Sequence, residues 1–508
     1  MTEMIQFTDV TLRDGQQSLS ATRMTTEQAL RVLPHLCEAG FRTMELWGGA
    51  TLDSCIRFTD EDPWKRLESF ASVVNGSARI QALVRGQSLF GYQPYPDDLV
   101  LAFTHQAVQS GVGVMRIFDA LNDFRNIQTA LVAAKAYGAT AEAALSYTVS
   151  PVHTSEYFVN FAALLEEEGA DQIAIKDMAG ILHPTTAVQL IPAIKQRVRV
   201  PLSLHSHSTA GVALLNAVIA MRAGIDSIDT AITPFAGGSS LPPVEVLMVF
   251  AEELGLDHNL NPQAILRAQE ELFVIADELR STSPFFGKFY RPVRFEDVDR
   301  DQVQQILKLL DAGGDDAINA ALRLTHQMLA SLGYPDHDDR IFESQIPGGM
   351  LTNLYDQIRQ MGQPPEIMDQ VMLEIPQVRA DVGYVPLVTP TSQIVGSQAA
   401  FNVISGDRYH FVSEEFKMIL RGEFGRTPAE PNPWVVEKVL GSVEERLKYR
   451  PAFYIKPALE DCYPQPFIRS RKDLLLHLLF GKNAEDFLIK HCPVSIPQYT
   501  MSDEIICF

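Results

Sequence analysis

Basic side chains are scarce in this chain: 42 Lys and Arg stand against 63 Asp and Glu in 508 residues, a formal charge of −21. Such a balance excludes nucleic acid as the main ligand, and a small anionic substrate would need a local basic site. Cysteine is also sparse. Cys37, Cys55, Cys462, Cys492 and Cys507 are odd in number and lack metal-type spacing, so no disulfide framework is implied and a reducing cytoplasm is expected. No apolar run approaches the length needed to span a bilayer, and Met1-Thr-Glu-Met-Ile-Gln6 is not a basic segment leading into an apolar one. The tail from Pro428 to Phe508 has no repeat and no low-complexity run, and no glycine-rich dinucleotide fingerprint follows the first strand-like run. What the chain does have is 46% hydrophobic residues, ample for a large core. Its length suggests roughly two to four domains.

Short β-rich runs alternate with helical patterns. The strand-like runs are Ile5–Val10, Thr43–Trp47, Ile80–Val84, Val114–Phe118, Ala143–Tyr147, Gln172–Ile175, Leu202–His205 and Ser227–Ile232. Helix-length segments such as Thr26–Ala39, Pro96–Ser110, Ile127–Tyr137, Glu156–Gly169, Thr185–Val198 and Val212–Ala223 lie between them. Strand and helix taking turns predict parallel strands joined by crossover helices. Eight strands in about 240 residues fit an α/β fold of the (β/α)8 TIM-barrel type better than an open doubly wound sheet. The pattern then turns mainly helical, over Pro262–Thr282, Asp301–Leu332 and Glu366–Glu374. The expected organisation is a barrel over 1–260, a helical domain over 261–470 and a helical tail over 471–508. Two loops interrupt the helical part, Ser344–Met350 with its Gly-Gly pair and Leu387–Gln393 with hydroxyls beside a proline.

The chemistry of a barrel gathers where the strands end. Polar residues at successive strand ends are Asp9, Arg13 and Asp14; Trp47 and Asp53; Arg85; Asp119 and Asn122; Lys176 and Asp177; and finally His205 and His207. The two histidines stand two apart in a strand, so they share a side and can hold one ion. Asp14, Lys176, His205 and His207 converge on one mouth, and imidazoles with a carboxylate suit Zn2+, Mn2+ or Co2+. Lys176 has two readings here. Carbamylation by CO2 would make it an anionic oxygen donor, whereas an ordinary ammonium would pair with Asp177 or Asp14.

Separate stretches then resemble one family, the carboxyltransferase component of biotin-dependent enzymes acting on pyruvate and oxaloacetate. They are Thr11-Leu-Arg-Asp-Gly-Gln-Gln-Ser18 with Ala21-Thr-Arg-Met24, the run from Glu45 to Phe58 with Glu61-Asp-Pro-Trp64, and Leu83–Tyr92. Further on come Arg116–Asp123, Ile173–Ala179, Leu204–Thr209, Ser344–Asn353 and Leu387–Gly396. The family includes pyruvate carboxylase, the oxaloacetate decarboxylase α chain and the pyruvate-binding subunit of transcarboxylase. Membership implies a barrel completed by a helical funnel over its mouth.

The resemblance also implies roles. Asp14, Lys176 as a carbamate, His205 and His207 would be the metal ligands. Arg85 would hold the substrate carboxylate with its planar fork. Gln17 and Tyr92 would donate near the keto and enolate oxygen, Arg13 and Asp53 would shape the pocket for carboxybiotin, and Thr389 would move a proton between biotin and the pyruvate methyl. The reaction implied passes through a metal-stabilised enolate shielded from water. The chain departs from the family at Gln16, usually histidine, at Ser88, commonly asparagine, and in the loop Thr233–Ser240. No biotinyl hairpin or biotin carboxylase unit is recognised, so biotin is expected on a separate carrier protein, and a homodimer is implied. Two other readings stand beside this one: a metal-dependent lyase or aldolase of the related barrel class, and a non-catalytic subunit that docks a biotin carrier.

Overall fold

Strands followed by amphipathic helices can cover a parallel sheet either as an open doubly wound layer or as a closed barrel, and here the sheet closes. In the computed structural model β1 (Gln6–Asp9), β2 (Thr43–Gly48), β3 (Arg79–Val84), β4 (Val112–Phe118), β5 (Thr140–Ser146), β6 (Gln172–Asp177), β7 (Leu202–Ser206) and β8 (Ser227–Thr230) form a closed parallel barrel in sequence order. β1 seals it by pairing Thr8 with Thr43 of β2 and with Asp229 of β8. The structure describes residues 4–491 apart from 92, 283–291, 346–353, 355–357, 359–361, 363, 365, 443–445 and 461–464.

The helices outside the barrel have local causes. Thr26–Ala39 starts with a capping box between Thr25 and Gln28 and stops at Gly40, whose φ of 88° suits glycine. Pro63–Val74 opens with proline in its first turn and the Asp62 carboxylate on the Trp64 and Lys65 amides. That helix and Val244–Glu253 are absent from the expected elements, yet the first makes the β2–β3 crossover and the second follows β8 as the last helix of the eight strand–helix units. Apolar side chains between strands and helices, among them Leu33, Leu67, Phe103, Ile191 and Leu247, form the main core.

Beyond the barrel, helix Pro262–Glu278 lies along Thr26–Ala39, where Arg31 bonds Glu271 at 2.6 Å and Glu278 at 2.8 Å. The single expected pattern Asp301–Leu332 is two helices, Arg300–Ala312 and Asp315–Ser331, because Gly313 and Gly314 both take positive φ and turn the chain. Helices Ile367–Asp381 and Thr391–Ser405 pack on each other, and the chain between them reaches the barrel mouth. Helices Arg471–Phe480 and Lys482–His491 return to the barrel flank, where the Tyr95 hydroxyl donates to the Leu479 carbonyl at 2.7 Å. Among the described residues no helix is long and apolar enough to cross a membrane.

Candidate active site

β7 carries His205 one residue before its end at Ser206, and His207 follows just beyond the strand, both with their Nε2 atoms turned inward. The two Nε2 atoms lie 3.2 Å apart, and the Asp14 carboxylate stands 3.4 Å from one and 3.7 Å from the other. Asp14 is carried on a buried π-helical turn, Thr11–Gly15, directly after β1. Lys176 of β6 completes the group, with Nζ 2.8 Å from His205 Nε2. All four side chains are buried.

The outer partners fix the imidazole protons. His207 Nδ1 faces the Ser239 carbonyl at 2.7 Å, and a carbonyl only accepts, so His207 carries its proton on Nδ1. His205 Nδ1 lies 2.7 Å from the Asp229 carboxylate, with the same consequence. Both Nε2 lone pairs therefore converge beside a carboxylate, as a divalent cation with nitrogen and oxygen ligands requires. Asp14, His205 and His207 offer ligand atoms within 4.8 Å of one another, so the donor set fits such an ion. Burial works against the Asp14 charge, but Arg13 and the neighbouring imidazoles outweigh it and hold the carboxyl well below the usual range. Burial also brings the Lys176 ammonium down to about 8, with Asp14 opposing. Asp177 is committed elsewhere, accepting from the Ile181 and Leu182 amides at 2.9 Å and from Ser206 at 3.0 Å. Gly180, at φ 70°, lets this loop pass so close to the His207 carbonyl that a Cβ would collide with it.

Around this cluster the expected residues divide. Arg13 and Gln17 join it: Arg13 donates to Asp14 at 2.7 Å, to Gln17 at 3.3 Å and, through Nε, to Glu45 at 2.5 Å. Arg85, at the end of β3, is half-buried and donates to the carbonyls of Phe90 at 3.0 Å and Gly91 at 2.7 Å. Asp53 sits on a short helix, Gly49–Ser54, and faces Arg57 at 3.3 Å. Thr389 is half-buried and follows Val388, which packs on Phe118, Ala144 and Ala174 of three successive strands, with Leu83 and Met178 beside them. That small cluster is the contact between the second loop and the barrel mouth. Tyr92 and the stretch 346–353 lie outside the described residues.

Other polar strand-end residues serve the scaffold. The Trp47 ring packs against Trp64, Phe90 and Phe103. Asp9 accepts from Thr11 at 2.6 Å, and burial pushes its carboxyl up to about 7. Asp119 takes the Leu121 and Asp123 amides at 2.9 Å, and Asn122 bonds Ser146 across to β5. Gln16 accepts from the Met24 amide at 3.3 Å, while its Nε2 is buried without a partner. Ser88 sits in the 3-10 turn Gly86–Ser88 after Arg85. Sequence reasoning missed Asp229 and Glu45, which orient His205 and Arg13. The signal for Glu45 was a carboxylate among the apolar residues of β2, whereas the short polar strand Ser227–Thr230 gave none for Asp229. It missed Arg379 as well, a buried guanidinium that binds Val149 and Val385 carbonyls and the Thr148 hydroxyl, each at 2.8 Å.

Residues 341–503 match the family model described as a conserved carboxylase domain, and residues 109–272 match one described as HMGL-like. The chain is 38% identical to a pyruvate carboxylase subunit from Methanocaldococcus jannaschii over 489 residues, 96% of this chain and 78% of the relative. It is 37% identical to the methylmalonyl-CoA carboxyltransferase 5S subunit of Propionibacterium freudenreichii subsp. shermanii over 491 residues, 95% of this chain and 87% of the relative. The solved carboxyl transferase domain of Rhizobium etli pyruvate carboxylase with pyruvate and biocytin superposes with a TM-score of 0.79 at 27% identity, covering 96% of this chain and 77% of that one.

Proposed function

The chain belongs to the carboxyltransferase family that includes these pyruvate carboxylase and methylmalonyl-CoA carboxyltransferase subunits, and we propose that it moves a carboxyl group between carrier-borne biotin and pyruvate, with oxaloacetate as the carboxylated partner. The observation that carries this reading is the buried cluster of Asp14, His205, His207 and Lys176, with its imidazole lone pairs converging beside the Asp14 carboxylate. Asp14, His205 and His207 would hold a divalent ion, with Lys176 as its CO2 adduct in the fourth place. A bound Zn2+, Mn2+ or Co2+ supplies Lewis acidity toward the substrate's keto oxygen, which makes the methyl protons more acidic.

The side chains of the chain itself would do the rest. The Arg85 fork receives the substrate carboxylate, and its bonds to the Phe90 and Gly91 carbonyls fix its approach. Gln17 and Tyr92 donate toward the keto oxygen as negative charge grows there. The Thr389 hydroxyl passes a proton between the substrate methyl and the biotin ureido nitrogen. Arg13 holds Asp14 in place beside the biotin pocket, which Asp53 borders. Val388 on its apolar seat excludes water from a reaction whose CO2 and enolate are short-lived. In this arrangement residues 1–260 provide the barrel, 261–470 the funnel and 471–508 the tail. A cytoplasmic homodimer is the assembly we assign, with free thiols at Cys37 and Cys55 in keeping with that compartment.

The lyase reading draws on the HMGL-like match over residues 109–272, which covers part of the barrel and only the start of the helical part. It leaves unexplained the conserved carboxylase match over 341–503, where Thr389 stands. The test is to purify the chain, determine its bound metal and measure oxaloacetate decarboxylation with and without free biotin, in wild type and Lys176→Ala. Biotin-stimulated pyruvate formation, abolished in the variant, is the expected result. Metal-loaded protein that ignores both oxaloacetate and biotin overturns the proposal.

A further inference from the structure

The interior of a (β/α)8 barrel is ordinarily filled by branched apolar side chains. Here the layer adjoining the metal cluster is charged, and Arg116 of β4 stands at its centre. Arg116 is 1% exposed. Its guanidinium donates to Glu142 of β5 through Nε at 2.5 Å and through a terminal nitrogen at 3.3 Å. On the other side it donates to both oxygens of Asp229 of β8, one of them at 3.1 Å. It also lies 3.8 Å from Glu45 of β2.

Two routes lead from this residue to the proposed ligands. Asp229 accepts from His205 Nδ1 at 2.7 Å, and Glu45 accepts from Arg13, which in turn donates to Asp14 at 2.7 Å. We propose that Arg116 is a positioning residue for the metal centre: its fork fixes the Asp229 carboxylate that aims His205 and, through Glu45 and Arg13, steadies Asp14. The inference rests on the metal reading given above.

The choice of arginine follows from the geometry. Three carboxylates, Glu45, Glu142 and Asp229, crowd one small volume and repel each other in a low dielectric. A planar guanidinium separates them and meets two of them with two bonds each, whereas the single nitrogen of a lysine cannot span both. With the fork gone, Asp229 turns toward whatever donor remains and its bond to His205 loosens. Outer partners of this kind change metal affinity by about 10–100-fold.

Arg116→Lys isolates this role because it keeps the positive charge. The full chain is loaded with Co2+ or Zn2+, affinity is measured by competition with a chromophoric chelator, and the visible spectrum of the Co2+ form reports ligand geometry. The expected result is about 10–100-fold weaker binding with an altered Co2+ spectrum. If Arg116 only balances charge, affinity and spectrum stay at the wild-type values, and the proposal fails. Should Arg116→Lys not fold, Ser203→Ala removes the neutral donor that bonds Glu142 at 2.7 Å and so loosens the fork from its far side. A few-fold loss of affinity with a shifted spectrum then supports the proposal, and unchanged values overturn it. Wild-type chain that binds neither ion refutes the metal reading itself, a different outcome from equal binding by both proteins.

Discussion

Burial gives Lys176 an amine that is partly neutral at physiological pH, and CO2 bonds only to a neutral amine. The side chain is 1% exposed, and its ammonium is brought from the ordinary 10.5 down to about 8. At pH 7.5 about a quarter of the amine is then neutral, against about 0.1% for an exposed lysine, a gain of roughly 200-fold in reactive form. The sign follows directly. Neutral amine is lost as pH falls through 8, about tenfold for each further unit below 7. Forming the N–C bond releases one proton and leaves an anionic oxygen pair beside His205. Metal-free protein would be incubated with labelled hydrogen carbonate at a fixed dissolved CO2 concentration, trapped by O-alkylation and mapped by mass spectrometry. Metal uptake would be followed in parallel from pH 6 to 9. Label is expected at Lys176 and not in Lys176→Ala, and the initial rate of CO2-dependent uptake, which follows the neutral amine, rises about tenfold from pH 6 to 7 and levels off above 8. Lys176→Glu, with a permanent carboxylate, is expected to take up metal without CO2. Absence of label at Lys176, or uptake indifferent to CO2 and to pH between 6 and 8, refutes the reasoning.

Three further outcomes are expected. Thr389→Ala lowers the rate of biotin-dependent transfer by about 10²–10⁴-fold at unchanged metal content, and Thr389→Ser restores most of it; equal deuterium washout from the pyruvate methyl in wild type and Thr389→Ala removes the proton-relay role. Arg379→Met cuts the ties between the Thr148–Val149 loop and Val385, so deuterium uptake over residues 382–390 accelerates and transfer falls about 10–100-fold; unchanged uptake there contradicts the account. His153 has its imidazole brought by burial to about 3, below the unfolded 6.5, so between these values the unfolded chain binds more protons and stability falls as pH drops, by at most about 1.4 kcal/mol per pH unit. His153→Phe, set among the Tyr157 and Phe158 rings, should flatten that slope in urea unfolding at pH 7 and 5, and equal slopes would show that another group is responsible.

How much of this was legible depended on distance along the chain. Strand and helix alternation is a local pattern, and all eight strands fall where the runs predict them, with ends moved by no more than three residues. The helix Pro63–Val74 was overlooked although Asp62-Pro63 is a helix-start signal, because the same residues were read as a family motif. His205 and His207 were legible because two residues in a strand share a face, and Asp14 and Lys176 because strand ends meet at one rim. The inner layer was not. Period two tells which residues share a face, but which face turns into the barrel depends on closure and register, so Glu45, Arg116, Glu142 and Asp229 carried no assigned role. Nor could local pattern show the approach of the Thr389 loop to the barrel, which only the family resemblance implied. That approach depends on Val388 meeting Phe118, Ala144 and Ala174, all more than 200 positions earlier in the chain.

The charged layer also bears on why this barrel is built as it is. Taking ions out of water costs several kcal/mol each even after relaxation, and apolar replacements are often neutral or stabilising. An interior selected for stability alone would resemble the apolar one. Two guanidiniums, Arg13 and Arg116, here face four carboxylates, Asp14, Glu45, Glu142 and Asp229, an excess of two negative charges before Lys176 is considered. With Lys176 as the proposed anionic adduct the excess becomes three, and a divalent ion at the rim would offset two of those charges. The apolar shell between strands and helices supplies the stability that the interior gives up. Where local patterning and global packing disagree in a folded chain, a functional site is the expected reason, and the disagreement here lies directly against the imidazole pair.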